Sequence, residues 1–196
     1  MKNIVKGLTL ALVIVFAFTS CAKQPIQQMD AAKAAIQGVV DAKGGLYAKD
    51  ELNRLNGDLQ AAMDEVTAQS KKFFKKYGKA KEMLAAVVTN ADAAKAQIPG
   101  RIAEAKAAAE AAVGEAKTAW DEAKALLEKA PKGKGTKADI EAMKADLAGL
   151  ETAMGDVQAA LAAEDYFGAK DKAMVIKEKA LAIAEQVNAA IAKVKR

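Results

Sequence analysis

IEAMKADLAGLETAMGDVQAAL, residues 140–161, decides the fold. Its large apolar residues are Ile140, Met143, Leu147, Leu150, Met154, Val157 and Leu161, at steps of 3, 4, 3, 4, 3 and 4. That spacing keeps one stripe along one side of an α-helix and predicts a seam buried against other helices. Toward the C-terminus the steps recur in Ala169, Ala173, Ile176, Ala180, Ile183, Val187, Ala190 and Val194. Upstream they recur in Ile102, Ala105, Ala109, Ala112, Ala116, Ala119, Ala123 and Leu126, a mostly alanine seam that lets another helix approach closely. No run alternates with period two for long enough to be a strand.

The seam also repeats inside the chain. Leu52, Leu55, Leu59, Ala62, Val66, Gln69 and Phe73 reproduce the pattern of residues 140–161 at a displacement of 88, with Gln69 the one polar mismatch. From Tyr77 and Tyr166 onward the displacement is 89: Ala80, Leu84, Val87, Ala91, Ala94 and Ile98 keep the phase of Ala169 through Val187. One residue is therefore gained or lost just before each tyrosine. A continuous seam resists this, because one residue rotates a helix face by about 100°. A turn absorbs it, which places helix corners near Lys76 and near Glu164-Asp165. One long helix through each tyrosine is the alternative.

Breaks stand at Gly44-Gly45, at Ile98-Pro99-Gly100 and at 131–136, Pro-Lys-Gly-Lys-Gly-Thr. Thr136 followed by Asp139 reads as a capping-box variant that opens the next helix. The expected helices are 26–43, 49–75 and 78–98 in a first repeat, residues 26–98. They are 100–130, 137–163 and 166–195 in a second repeat, residues 99–196. The expected fold class is all-α: long antiparallel helices in two tandem three-helix, coiled-coil-like bundles, preceded by a cleaved signal peptide. Pro99-Gly100 joins the two, as a break or as a kink in a near-continuous helix.

Composition narrows the chemistry. The chain has 196 residues, no histidine and one cysteine. Without histidine there is no Ser-His-Asp or Cys-His nucleophile system and no histidine-ligated metal or haem. Gly44-Gly45 and Gly133 to Gly135 sit in linkers and match no phosphate-binding loop. The carboxylates stand beside lysines on helix faces, as in Lys106/Glu110, Lys117/Asp121 and Lys124/Glu128, where solvated pairs are the ordinary outcome. The expectation is a non-enzyme with no catalytic residues, no metal and no cofactor beyond covalent lipid.

The N-terminus supplies an address. Lys2 and Lys6 open it, an apolar run covers residues 8–18, and Thr19, Ser20 and Cys21 follow. The apolar run is shorter than the about 20 residues of a spanning helix. A transmembrane anchor and a plain cleaved secretory signal are the alternatives. The order of charged, apolar and small segments closing on cysteine resembles the lipobox of bacterial lipoproteins. The resemblance implies a signal peptide at 1–20, lipid on Cys21, and an acylated tether at 21–25. With Ala22 rather than aspartate after the cysteine, it implies the outer membrane, facing the periplasm. Lys2 and Lys6 account for two of the formal net charge of +5, leaving +3 on residues 21–196. That is too weak to suggest nucleic acid.

Residues 31–36, then Tyr47-Ala48-Lys49-Asp50-Glu51-Leu52, then Tyr77 with Ala80, are similar to an alanine-rich bacterial domain of unknown function found in lipoproteins. That domain is sometimes fused to a peptidoglycan-binding domain like that of outer membrane protein A. Tyr166 and Ala169 repeat the last signature, while Gly135-Thr136 replace the first tyrosine signal. The resemblance implies two copies across the mature chain and an envelope role with no assigned activity.

One stretch departs from the repeat. Residues 71–81 hold six lysines and three aromatics, where the second copy reads Ala-Ala-Leu-Ala-Ala-Glu-Asp-Tyr-Phe-Gly-Ala-Lys over 159–170. The ordinary reading puts Phe73 and Tyr77 in the core and the lysines in solvent. The sharper one makes Lys71, Lys72, Phe74, Lys75, Lys76, Lys79 and Lys81 a contact for anionic lipid headgroups or a partner protein, with Phe74 as an interfacial wedge. Trp120 reads as an inter-helix wedge and Met143 and Met154 as seam filler. The functional expectation is a membrane-anchored structural or adaptor component of the envelope, with envelope proteins or lipid headgroups as partners. Helical faces also offer pairing between copies. The alternative is a carrier of a lipid or other apolar ligand inside a bundle. The Lys193-Val194-Lys195-Arg196 end lacks the terminal lysine that a murein-lipoprotein-like cross-link would need.

Overall fold

A computed structural model describes residues 23–130 and 137–194. The segment 1–20, Cys21, Ala22, the 131–136 linker with the expected Thr136 cap, the side chains of Lys193 and Val194 and the Lys195-Arg196 end lie outside the described residues. Among the described residues there are six helices and no strand: α1 (Ile26–Asp41), α2 (Gly44–Tyr47), α3 (Lys49–Ser70), α4 (Gly78–Glu128), α5 (Lys137–Ala162) and α6 (Tyr166–Val194). The chain divides into two compact units between Pro99 and Gly100. Pro99 interrupts no helix, since α4 runs through it. Of the two readings open at Pro99, the continuous helix is the one found.

In the first unit α1 buries Ala32, Ile36 and Val39. It packs on α3, which buries Leu55, Ala62 and Val66. The first part of α4 adds Ala80, Leu84, Val87, Ala91, Ala94 and Ile98, all six of its expected seam positions. Between α1 and α3 the chain reverses on Lys43, whose φ of 68° is left-handed. A Cβ added to Gly44 would lie 2.5 Å from the Val39 carbonyl oxygen, so the reversal requires glycine there. The single turn α2 then brings Tyr47 into the core.

In the second unit the continuation of α4 buries Ala105, Ala109, Ala112, Ala116, Ala119, Ala123 and Leu127. Helix α5 buries Ile140, Leu147, Leu150, Val157 and Ala160. It packs along α6, which buries Tyr166, Ala169, Ala173, Ile176, Ala180, Ile183 and Val187. The expected seam ends on Leu126 and Leu161, but burial has moved to Leu127 and Ala160. A straight helix at 3.6 residues per turn drifts about 20° per heptad, which moves the contact line to later residues and accounts for the shift on α4, while the backward shift on α5 has no such cause. Trp120 is the wedge expected of it: its Nε1–H donates to the Leu147 carbonyl at 3.1 Å, tying α4 to α5. Lys117 pairs with Asp121 at 3.0 Å as read, whereas Lys124 lies over the Trp120 ring, 4.8 Å from its centroid.

The α5–α6 corner is made by three residues. Glu164 adopts a left-handed φ of 58°, and the Asp165 N–H donates to the Ala160 carbonyl while that of Glu164 donates to Leu161, a Schellman termination. Asp165 then caps α6, its Oδ1 accepting the Gly168 N–H at 3.0 Å. The Asp165 carboxylate fills the space a Cβ on residue 168 would need, so a larger residue there would push the cap aside.

The seam and the corner each make a stability prediction. Ile176→Ala removes a fully buried branched side chain and is expected to cost about 2–5 kcal/mol, read as a fall in the urea midpoint of the helical circular dichroism signal. Glu164→Gly relieves a left-handed non-glycine residue and is expected to raise stability by about 1 kcal/mol in the same assay.

Candidate functional site: the basic aromatic corner

The first unit turns its equivalent corner differently. Helix α3 ends at Ser70, five residues before its expected end at 75, and α4 begins at Gly78. Continued helix would stack Lys71 on Lys75 and Lys72 on Lys76 as like-charge i,i+4 pairs, which are unfavourable. Unwinding separates those charges and leaves them by the negative C-terminal end of α3. Lys72 N–H closes a last turn onto the Gln69 carbonyl at 3.1 Å, and Ser70 Oγ donates to the Thr67 carbonyl at 2.7 Å.

This unwinding corrects one expectation. Phe73, read as a core residue on the seam, is 90% exposed. Phe74 is 67% exposed, and the two rings meet edge to face with centroids 5.0 Å apart. Lys71, Lys72, Lys75 and Lys76, on either side of them in the chain, are all exposed. Lys79 sits in the first turn of α4, where its Nζ reaches Glu65 Oε2 at 3.4 Å, and Lys81 is exposed two residues on. Tyr77 is the core aromatic, packed with Val66 and Ala80 and touched by Met29. Its hydroxyl is buried without a hydrogen-bond partner, a cost of about 1–3 kcal/mol, so shape rather than polarity holds the ring there. Cys21 lies outside the described residues.

Two residues that sequence reading left aside position this corner. Gln69, the polar mismatch in the repeat, donates from Nε2 to Glu65 Oε1 at 2.8 Å and accepts the Lys76 N–H at 3.4 Å. Glu65 thus joins Gln69 and Lys79, linking the end of α3, the loop and the start of α4. The Gln69 hydrogen bond comes first in holding the Glu65 carboxyl below the ordinary glutamate value; burial opposes it, and the Lys79 contact and charge and the Lys72 charge add to the lowering. The mismatch was the available signal: a half-buried glutamine on an apolar seam needs a polar partner.

Elsewhere the described residues bring no three metal-ligating side chains together, and no described helix is long and apolar enough to cross a membrane. The second unit carries a trough of about 650 Å³ between α4 and α6. Ala108 and Ala111 line one side, and Met174, Val175 and Leu181 the other. Met174 and Leu181 are 52% and 46% exposed and stand one heptad apart, with Phe167 a heptad before them. No family model, curated protein or solved structure matches the chain.

Acid should loosen the helix ties. Glu115 is held low by the hydrogen bond and charge of Lys177, whose Nζ lies 2.8 Å from its Oε2, and Glu141 by those of Lys144. A carboxyl lowered on folding adds stability above its unfolded value, near about 4.3, and loses it as pH falls through the folded value. The urea midpoint is therefore expected to drop as pH is taken from about 5 to about 3, less steeply in a Glu65→Gln, Glu115→Gln double variant. Equal slopes would show that these ties contribute nothing.

Proposed function

We propose that the protein is a non-catalytic envelope lipoprotein, held by acyl chains on Cys21 at the periplasmic side of the outer membrane. Its two units act as tandem three-helix bundles of antiparallel helices that present faces to other envelope components. The anchor is supported by the lipobox-like order of residues 2–21. Near-permanent anchoring follows from several acyl chains, since each buried methylene adds about 0.8 kcal/mol.

The observation that favours an adaptor is the outer stripe of α6. Phe167, Met174 and Leu181 repeat at heptad spacing outside the buried seam, and small alanines of α4 line the trough with Met174 and Leu181. Lys170, Asp171, Lys177 and Glu178 supply both signs of charge at the rim. This is the pattern of a receiving face for an amphipathic helix, with an apolar floor and charges that fix register. A carrier would enclose most of its ligand. The described grooves are open troughs, so the adaptor is the better supported reading.

A photo-crosslinking residue at position 174 of the full chain in cells is expected to give one discrete adduct, lost with Leu181→Asp. The same probe at exposed Glu110, on the side of α4 turned away from Ala108 and Ala111, is expected to give none. Indistinguishable patterns from both positions would sink the adaptor reading. Palmitate labelling of wild type, absent in Cys21→Ala, tests the anchor separately.

A further inference from the structure

We propose that the corner at residues 71–76 is a bilayer-seating wedge, which sets the first unit end-on against anionic phospholipid beside the Cys21 anchor. The position of the anchor rests on the lipoprotein reading. The affinity of the corner for lipid does not.

The anchor and the corner belong to the same end of the unit. Cys21 precedes Pro25 by four residues, so their Cα atoms lie within about 14 Å. Pro25 is buried, and its carbonyl accepts the Met29 N–H at 3.0 Å. Met29 packs against Val66, Tyr77 and Ala80. The start of α1, the end of α3 and the start of α4 therefore meet around Tyr77. Ile98, at the far end of the unit, is twenty residues along α4, about 30 Å away.

What projects at this end has the chemistry of a membrane interface. Phe73 and Phe74 form one edge-to-face pair pointing into solvent, and Ile26 is exposed at the chain entry. Lys71, Lys72, Lys75 and Lys76 flank the two phenylalanines in the chain and are exposed, as is Lys23 at the entry. Glu65, the acidic residue tied to the loop, is already engaged by Lys79 and Gln69. Asp30 and Glu82 stand one turn further back on α1 and α4. Aromatic rings lower into the headgroup region while lysines meet lipid phosphates, and each lysine raises partition onto an anionic surface about fivefold. The Gln69–Lys76 contact holds the loop in place before contact.

The test is flotation of a chain from Lys23 to Arg196, which keeps every described residue and has no acyl group. Vesicles are phosphatidylcholine with or without phosphatidylglycerol. Wild type is expected to float with the anionic vesicles at least about tenfold more than with the neutral ones, and less as salt rises. Phe73→Ser with Phe74→Ser, and separately Lys71, Lys72, Lys75 and Lys76 all to Gln, are each expected to lose at least about nine-tenths of that binding. These side chains are exposed, and unchanged circular dichroism checks that the variants fold. Phe74→Trp in a Trp120→Phe background is expected to blue-shift on anionic vesicles and to be quenched by brominated lipid. Failure to float, equal flotation on neutral vesicles, unaffected variants, or an unquenched Trp at 74 each overturn the proposal. Binding of the corner to an acidic protein instead would appear as one of these failures. Flotation reads the corner alone and palmitate labelling of Cys21 reads the anchor alone, so failure of one is told apart from failure of the other.

Discussion

Each long helix in this protein depends on a narrow stripe of small and branched side chains pressed against its neighbours. Alanine gives the stripe most of its members on α4, and an alanine methyl adds only about 0.8 kcal/mol when buried. Such a seam is adequate only when it is long, because the contacts accumulate turn by turn. Small side chains compensate by letting backbones approach, which improves dispersion contacts along the whole interface. Apart from tyrosine hydroxyls, no charged or polar side chain is buried among the described residues. Polar chemistry is confined to helix ends and outer faces, and function has to be sought there.

The long seams were legible because their signal is redundant. A stripe repeated over about three heptads survives local exceptions, and the seam positions from Ala80 to Ile98 and from Ala169 to Val187 are all buried. What periodicity could not supply was the place where a helix stops. In the second unit the one-residue slip in the repeat marks a corner, and that corner falls between Ala162 and Tyr166. In the first unit the same alignment carried Phe73 onto the seam by analogy with Leu161, but α3 had already ended. At Pro99 the sequence left a break and a near-continuous helix both open. A proline followed by glycine reads as a break, yet the backbone stays helical through Pro99, with buried residues on both sides at Ile98 and Ala105.

At the candidate site, residue type was legible and geometry was not. The lysines and Phe74 are exposed as the sharper reading needs. The residues that shape the loop, Glu65 and Gln69, came from outside the conspicuous cluster, because hydrogen bonds between a helix end and a loop leave no periodic trace. Gln69 looked like noise in a repeat. It is better understood as a polar residue placed where the seam ends, accepting from the loop and donating to a carboxylate that a lysine of the next helix also contacts.

The two units repeat a pattern of buried positions, each in its own core, and differ at their surfaces, which separates what the fold requires from what it does not. The second unit closes its corner in three residues, with a Schellman termination and an aspartate cap, and presents Glu164 and Asp165 there. The first unit uses seven residues, gives up the last turn of α3 and exposes two aromatic rings to water. Nothing in the packing demands that cost, since Tyr77 and Ala80 occupy the same core positions as Tyr166 and Ala169. An acidic corner would be repelled by an anionic bilayer, and a basic aromatic one is attracted to it. The basic corner belongs to the unit whose first helix begins five residues after Cys21. The chain thus carries its expensive surface at the end nearest its proposed anchor, where a lipid contact would offset the exposure of Phe73 and Phe74.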